Sequence, residues 1–116
     1  MKLTGQAQLL RIFIGEDDRH QGKPLPEAIV EEARRRGLAG ATVLKGALGF
    51  GANSRVHTSK ILRLSSDLPI VVEIVDVAEK IADFLPALDA MISEGMVTLE
   101  KVEVITYRHN QGVKPG

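Results

Sequence analysis

At 116 residues, with 15 basic and 15 acidic side chains, the chain has the size of one domain and can bury roughly two-thirds of its unfolded surface without covalent staples. It has no cysteine, which excludes disulfides, thiolate chemistry and the common cysteine-based zinc sites, and its zero net charge supplies no global field toward nucleic acid or an anionic membrane. Hydrophobic residues at 44% are ordinary globular usage, while aromatics at 3% without Trp argue against stacking platforms for bases.

The opening MKLTGQAQLLRIFIGEDD holds only a short apolar run ended by Gly15 and three acids. That is neither a signal peptide nor a membrane span, so a soluble, cytoplasmic protein is expected. Within it, residues 8–14 (QLLRIFI) predict a strand, because Leu10, Ile12 and Ile14 alternate with Leu9, Arg11 and Phe13. Residues 15–23 (GEDDRHQGK) read as a polar loop. Pro24 or Pro26 then opens a helix, since proline fits a first turn whose N–H groups have no partner. Leu25, Ala28, Ile29 and Ala33 form its buried stripe, and Glu27, Glu31 and Glu32 ahead of Arg34, Arg35 and Arg36 suit the helix dipole. That charge run reads most simply as a solvated face. Gly37 is placed to adopt the left-handed conformation that closes a helix.

Residues 41–48 (ATVLKGAL) predict the second strand. From Gly49 to Leu68 comes a connection of about twenty residues, a length that inside a compact domain is usually functional or partly disordered. HTSKILRLS within it can extend strand structure. Pro69 heads a third strand (LPIVVEIVD), where it damages no interior ladder. Asp76 and Glu79 make the D-x-x-E pattern of a capping box for a second helix. Its apolar stripe is Val77, Ile81, Phe84, Leu85, Leu88 and Ile92. Pro86 interrupts that stripe and predicts a kink or break. Gly95 is expected to end the helix, residues 96–107 (MVTLEKVEVITY) form the fourth strand, and residues 108–116 are a flexible polar tail beyond a single domain spanning 1–107.

The two halves echo each other: LLRIFIGED and LPIVVEIVD are each followed by a helix, a glycine and a strand. Strand–helix–strand twice predicts an α+β, ferredoxin-like βαββαβ fold, with a four-stranded antiparallel sheet and both helices on one face. Several strands carry apolar residues on both faces, so the open face is expected to pack against another copy.

The succession LRIFIGEDDRHQGKPLPEAIVEEARRRGLAGATVLKGALGFG, then HTSKILRLSSDLPIVVEIVD, then GMVTLEKVEVI resembles an uncharacterised bacterial family with a P-II-like fold. GLAGATV, GFG, LRLS and DLP are specific in combination. Some members of that family are encoded beside fluoride-exporting channels. The resemblance implies a homotrimer with ligand clefts between subunits and a mobile signalling loop, here about Gly49 to Asp67, with a glycine-rich base at Gly49, Phe50 and Gly51. P-II proteins use this architecture to bind nucleotides and to regulate transporters and enzymes. Two departures stand out. Where ATP-binding P-II proteins carry a phosphate-binding G-D-G-K segment this chain has SEGMVT, and the loop tyrosine they modify is absent, the one tyrosine being Tyr107.

The glycine run Gly46-x-x-Gly49-x-Gly51 lacks the Gly-Lys-Ser/Thr of a P-loop and the third glycine and following helix of a dinucleotide fingerprint. What it retains is the capacity of successive backbone N–H groups to form an anion-binding nest, with a flexible turn as the alternative. Arg55, His57, Lys60 and Arg63 make the connection locally basic, suiting phosphate or carboxylate as well as plain solvation. Lys45, among apolar strand residues, must reach water, a carboxylate or a ligand. The candidate ligand-binding set is therefore Lys45, Gly49, Gly51, Asn53, Ser54, Arg55, His57 and Lys60.

Other combinations carry less. His20, His57 and His109 lack metal-ligand spacing, although a trimer could gather three copies of one His on its axis. His57, Ser59 and Asp67 share a loop without a rigid elbow. Asp76 reads better as a cap than as an acid catalyst beside Glu73, and Glu16, Asp17 and Asp18 read as a solvated turn rather than a calcium loop. No catalytic residue, metal or cofactor is expected. The reading that follows is a P-II-like regulator that binds an anionic small molecule between subunits and presents its 49–67 loop to a partner such as a transporter or channel. The rivals are a small enzyme on a ferredoxin-like scaffold, an RNA-binding module and a structural trimer. The RNA-binding module lacks exposed aromatics on central strands.

Overall fold

In a computed structural model of the chain, residues 3–50 and 67–109 are described. The elements in order are β1 (Gly5–Gly15), β2 (Arg19–His20), β3 (Lys23–Pro24), α1 (Leu25–Arg35), β4 (Thr42–Lys45), β5 (Pro69–Asp76), α2 (Ala78–Met91) and β6 (Met96–Val104). The main sheet runs β4-β5-β1-β6, and each neighbouring pair is antiparallel. With α1 and α2 packed against β5 and β1 and against each other, this is the expected ferredoxin-like arrangement. The β2–β3 hairpin is an addition inside the segment read as a loop. Its two-residue turn, Gln21 and Gly22, has φ of 52° and 80°, the doubly left-handed geometry that matches the twist of a tight hairpin.

Alternation decides which side of the sheet is dry. Leu10, Ile12 and Ile14 of β1 lie beside Ile70, Val72 and Ile74 of β5, all buried on the helix side. The helices complete this core with Leu25, Ile29 and Ala33 from α1 and Ile81, Phe84 and Leu88 from α2. The α1 stripe is the one its periodicity predicts, Leu25, Ala28, Ile29 and Ala33. Pro24 is the N-cap and Pro26 sits in the first turn. At the other end Gly37, φ 77°, closes the helix. The Leu38 N–H donates to the Ala33 carbonyl and the Gly37 N–H to Arg34, both at 3.1 Å, which satisfies carbonyls that the helix end leaves free. The charged run is solvated, with Glu32 gripping Arg35 and Arg36.

Four local expectations change. First, α2 runs through Pro86 without a break. Pro86 and Ala82, whose carbonyl loses its partner, both lie on the exposed side, where water can take over that hydrogen bond. Second, the helix stops at Met91 rather than at Gly95. Gly95 is required for a different reason, since a Cβ there would sit 2.6 Å from the Phe13 carbonyl oxygen. Third, Asp76 is the last residue of β5 and Val77 is the N-cap of α2, with no side-chain cap bond. The buried Asp76 carboxylate, 2% exposed, instead accepts the Ala39 N–H at 2.8 Å and the Val77 N–H at 2.7 Å. It ties the turn after α1 to the start of α2. β4 is also shorter than the sequence suggests, ending at Lys45.

The face away from the helices is apolar around one polar centre. Leu9, Phe13, Val71 and Val75 are half-buried there, and Leu44 and Met96 are 47% and 55% exposed. In their midst Arg11 donates from Nε to Glu73 at 2.9 Å and from Nη1 to Glu100 at 2.8 Å.

The Asp76 geometry separates a strand-end tie from a capping box. Asp76→Ala leaves two backbone N–H groups without their acceptor and should destabilise the fold by about 2–5 kcal/mol in urea unfolding. Glu79→Ala should cost under about 1 kcal/mol, the worth of an acid in a first turn. Comparable losses in the two variants would restore the capping box.

Candidate functional site

The two ends of the 46–68 connection meet at one place, the turn that follows β1. Sheet register brings them there. Lys45 lies opposite Ile70 across β4–β5, and Gly15 lies opposite Pro69 across β5–β1. Lys45 can thus reach across the first residues of β5 to Glu16, where Nζ meets Oε2 at 2.7 Å. The departing strand is held by the Gly46 N–H, which donates to the Pro69 carbonyl at 2.7 Å. The returning strand is held twice. The Glu16 N–H donates to the Leu68 carbonyl at 2.9 Å, and the Asp17 N–H donates to Asp67 Oδ1 at 3.1 Å.

Small residues make this convergence possible. A Cβ on Gly15 would lie 2.4 Å from Asp67 Oδ1, and one on Gly46 would lie 2.7 Å from Pro69 Cγ. Both distances are too short for any side chain without movement of the neighbour. Gly49 packs on the same Pro69 ring, 3.0 Å from where its Cβ would stand. Asp67 has φ 41°, a left-handed conformation that Asp tolerates better than most residues. The turn itself is closed by Asp18, whose Oδ2 accepts the Gly15 N–H at 3.0 Å and whose carbonyl accepts the Leu25 N–H at 2.8 Å.

The electrostatics centre on the Lys45–Glu16 pair. The Lys45 ammonium, by its hydrogen bond and then by its charge, holds the Glu16 carboxyl below its ordinary value, with a smaller contribution from the Leu68 backbone. Both side chains remain accessible, Lys45 at 54% and Glu16 at 35%, so the pair is open to competition from solution.

Of the sequence-derived candidates, Lys45 and Gly49 are brought to this convergence. Gly51, Asn53, Ser54, Arg55, His57 and Lys60 lie outside the described residues. Sequence reading missed Glu16, Asp17 and Asp67 as anchors. Only the strand register reveals them, because nothing local in GEDD indicates that a lysine some thirty residues away will arrive. His20 sits on the β2–β3 hairpin, while His109 lies beside Tyr107 with ring centroids 5.8 Å apart. Among the described residues no three His, Asp or Glu side chains converge to hold a metal ion, and no helix is long and apolar enough to cross a membrane.

Comparison with known proteins places the fold and the family. The family model for DUF190, described as "Uncharacterized ACR, COG1993", matches residues 7–104. The chain belongs to that family. A UPF0166 protein of Aquifex aeolicus (strain VF5) is 45% identical over 98 residues, covering 84% of this chain and 92% of the relative. Among solved structures, a PII-like protein of Thermus thermophilus superposes with a TM-score of 0.60 at 22% identity, covering 90% of this chain and 94% of the other. CPII of Thiomonas intermedia K12, a structure bound to ADP and bicarbonate, gives 0.58 at 19% identity over 90% and 93%. The fold is PII-like.

The pair also sets a pH response of definite sign. Because the folded-state pKa of Glu16 is depressed, its contribution to stability is present above the ordinary carboxyl value of 4.5 and is lost as pH falls through the folded value. Wild type should therefore exceed Glu16→Gln in melting temperature at neutral pH, and the gap should close in acid. Lys45→Met should abolish the gap at every pH. A difference between wild type and Glu16→Gln that persists unchanged into acid would show that the pair contributes nothing ionic.

Proposed function

We propose that this chain is a PII-like, ligand-responsive regulatory protein of the cytoplasm. It acts as a homotrimer, takes an anionic small molecule such as a nucleotide or bicarbonate in the clefts between subunits, and presents residues 49–67 to a partner such as a membrane transporter or channel. The observation that carries this reading is the convergence of both ends of the connection on Lys45, an accessible cation at the edge of the sheet. A ligand bound there touches the two points from which the connection departs and returns. A switch of this kind needs the ligand to favour one arrangement over another, and this is the place in the fold where a small contact acts on a long segment.

Three further facts support it. CPII, of the same fold, binds ADP and bicarbonate. The open sheet face, apolar around Arg11, is of the kind that a second copy covers. The sequence offers Arg55, His57 and Lys60 on the same connection as additional anion-binding groups. We assign no catalytic step. Among the described residues Asp18 and Asp67 accept backbone N–H groups of the turn, Glu16 pairs with Lys45, and Asp76 holds two backbone N–H groups.

The test is thermal unfolding of the purified protein with ADP, AMP, ATP, bicarbonate, fluoride and divalent cations, alongside light scattering for mass. An anion at about a hundred times its dissociation constant should stabilise the fold by roughly 2.7 kcal/mol. Lys45→Ala and Arg55→Ala should each weaken that effect while the mass stays that of three copies. Unchanged affinity in both variants would remove the site assignment, and a monomeric mass would remove the inter-subunit cleft.

A further inference from the structure

We propose that Glu16 is a built-in competitor for the anion at Lys45: its carboxylate holds the position that an oxyanion of the ligand takes, so that ligand binding proceeds by displacement of Glu16. The proposal rests on the anion-binding reading of Lys45 and concerns how that site is regulated. Its basis is the geometry. Glu16 Oε2 lies 2.7 Å from Lys45 Nζ, the separation of a charge-assisted hydrogen bond to any carboxylate-like or phosphate oxygen. The Lys45 ammonium is 54% accessible and its ion-pair partner is the Glu16 carboxylate.

The surroundings strengthen the inference. Glu16, Asp17, Asp18 and Asp67 bring four acidic residues to this turn. Asp18 and Asp67 each accept a backbone N–H, from Gly15 and Asp17, and so maintain the turn. Glu16 is different. Its backbone N–H serves the turn by donating to Leu68, while its carboxylate is directed to Lys45. The side chain can therefore leave Lys45 without dismantling the hydrogen bonds that hold the two ends of the connection. An incoming oxyanion must displace Glu16 and meets repulsion from the released carboxylate, which lowers affinity and makes occupancy sensitive to what else neutralises the turn.

The occupant is an oxyanion that offers one oxygen to an ammonium. Bicarbonate and the phosphates of ADP share that chemistry, and separate titrations distinguish them. Isothermal titration with sodium bicarbonate and, independently, with ADP should give a two- to fivefold tighter dissociation constant in Glu16→Gln than in wild type, the range an exposed ion pair supports. Lys45→Ala should lose the response. Enhancement with bicarbonate alone, or with ADP alone, names the source of the oxyanion. In wild type, the 13C shift of the Glu16 side-chain carboxyl should move toward that of a solvated carboxylate as the anion is added, a readout independent of any variant. Unaltered affinity in Glu16→Gln with loss in Lys45→Ala overturns the competition and leaves the anion site standing. Weaker binding in Glu16→Gln overturns it by making Glu16 part of the ligand's own contacts. No binding of either anion by wild type or Glu16→Gln overturns both the competition and the anion-binding reading.

Discussion

The pairing of β1 with β5 is the constraint on which the rest of the molecule depends. Eight residues of β1, from Gln8 to Gly15, face eight of β5, from Asp76 back to Pro69. Because side chains alternate, one register puts Leu10, Ile12 and Ile14 together with Ile70, Val72 and Ile74 under the helices. A slip of β1 by one residue against β5 would turn the β1 row to the other face and bring Arg11 under the helices in place of Leu10 and Ile12. The same register sets Gly15 opposite Pro69, and so decides that the turn after β1 lies within reach of Lys45. Core and candidate site are therefore not independent features. The hydrophobic alternation that specifies the sheet also specifies where the ends of the connection meet.

The open face follows from the same alternation with a different energetic balance. Arg11 sits between Glu73 and Glu100 at hydrogen-bonding distance, yet all three side chains are substantially exposed, from 31% to 54%. Solvent screening leaves pairs of that kind little net stabilising effect. Their role in the fold is thus better described as orientation than as stabilisation. They keep a cation at the centre of an otherwise apolar surface, flanked by Leu9, Phe13 and Val71. A like surface brought against this one must satisfy those charges in a defined way, which favours a specific assembly over indiscriminate hydrophobic contact.

What the sequence made legible was whatever depends on local periodicity and on residues with unusual backbones. The α1 stripe, the closing role of Gly37 and the place of Pro69 at a strand start were all readable, because each depends on a few consecutive residues. Asp76 shows the limit of that method. D-x-x-E is a genuine cap signature, but β5 continues through Asp76, and its carboxylate is claimed by Ala39, 37 positions away. Tertiary demand overrode the local pattern. The β2–β3 hairpin was missed because two-residue strands have no alternation to detect, and only Gly22 hinted at the turn. The candidate site was half legible. Lys45 stood out as a charged residue on an apolar strand, but its partner Glu16 looked like any acid in a polar turn, and only the register of three strands joins them.

Magnitudes limit what the Lys45–Glu16 pair can accomplish in a regulator of the proposed kind. Moving a two-state segment from almost wholly one arrangement to almost wholly the other requires about 5.5 kcal/mol of differential affinity. One solvent-exposed ion pair, screened by water and salt, supplies only a small part of that. The pair is therefore suited to adjusting the ligand concentration at which a response occurs, not to driving the response. Driving it would require further contacts between ligand and connection, or several copies responding together. The backbone bonds of Gly46 to Pro69 and of Glu16 to Leu68 are consistent with that division. They involve backbone atoms alone, so neither depends directly on the Lys45–Glu16 side-chain contact.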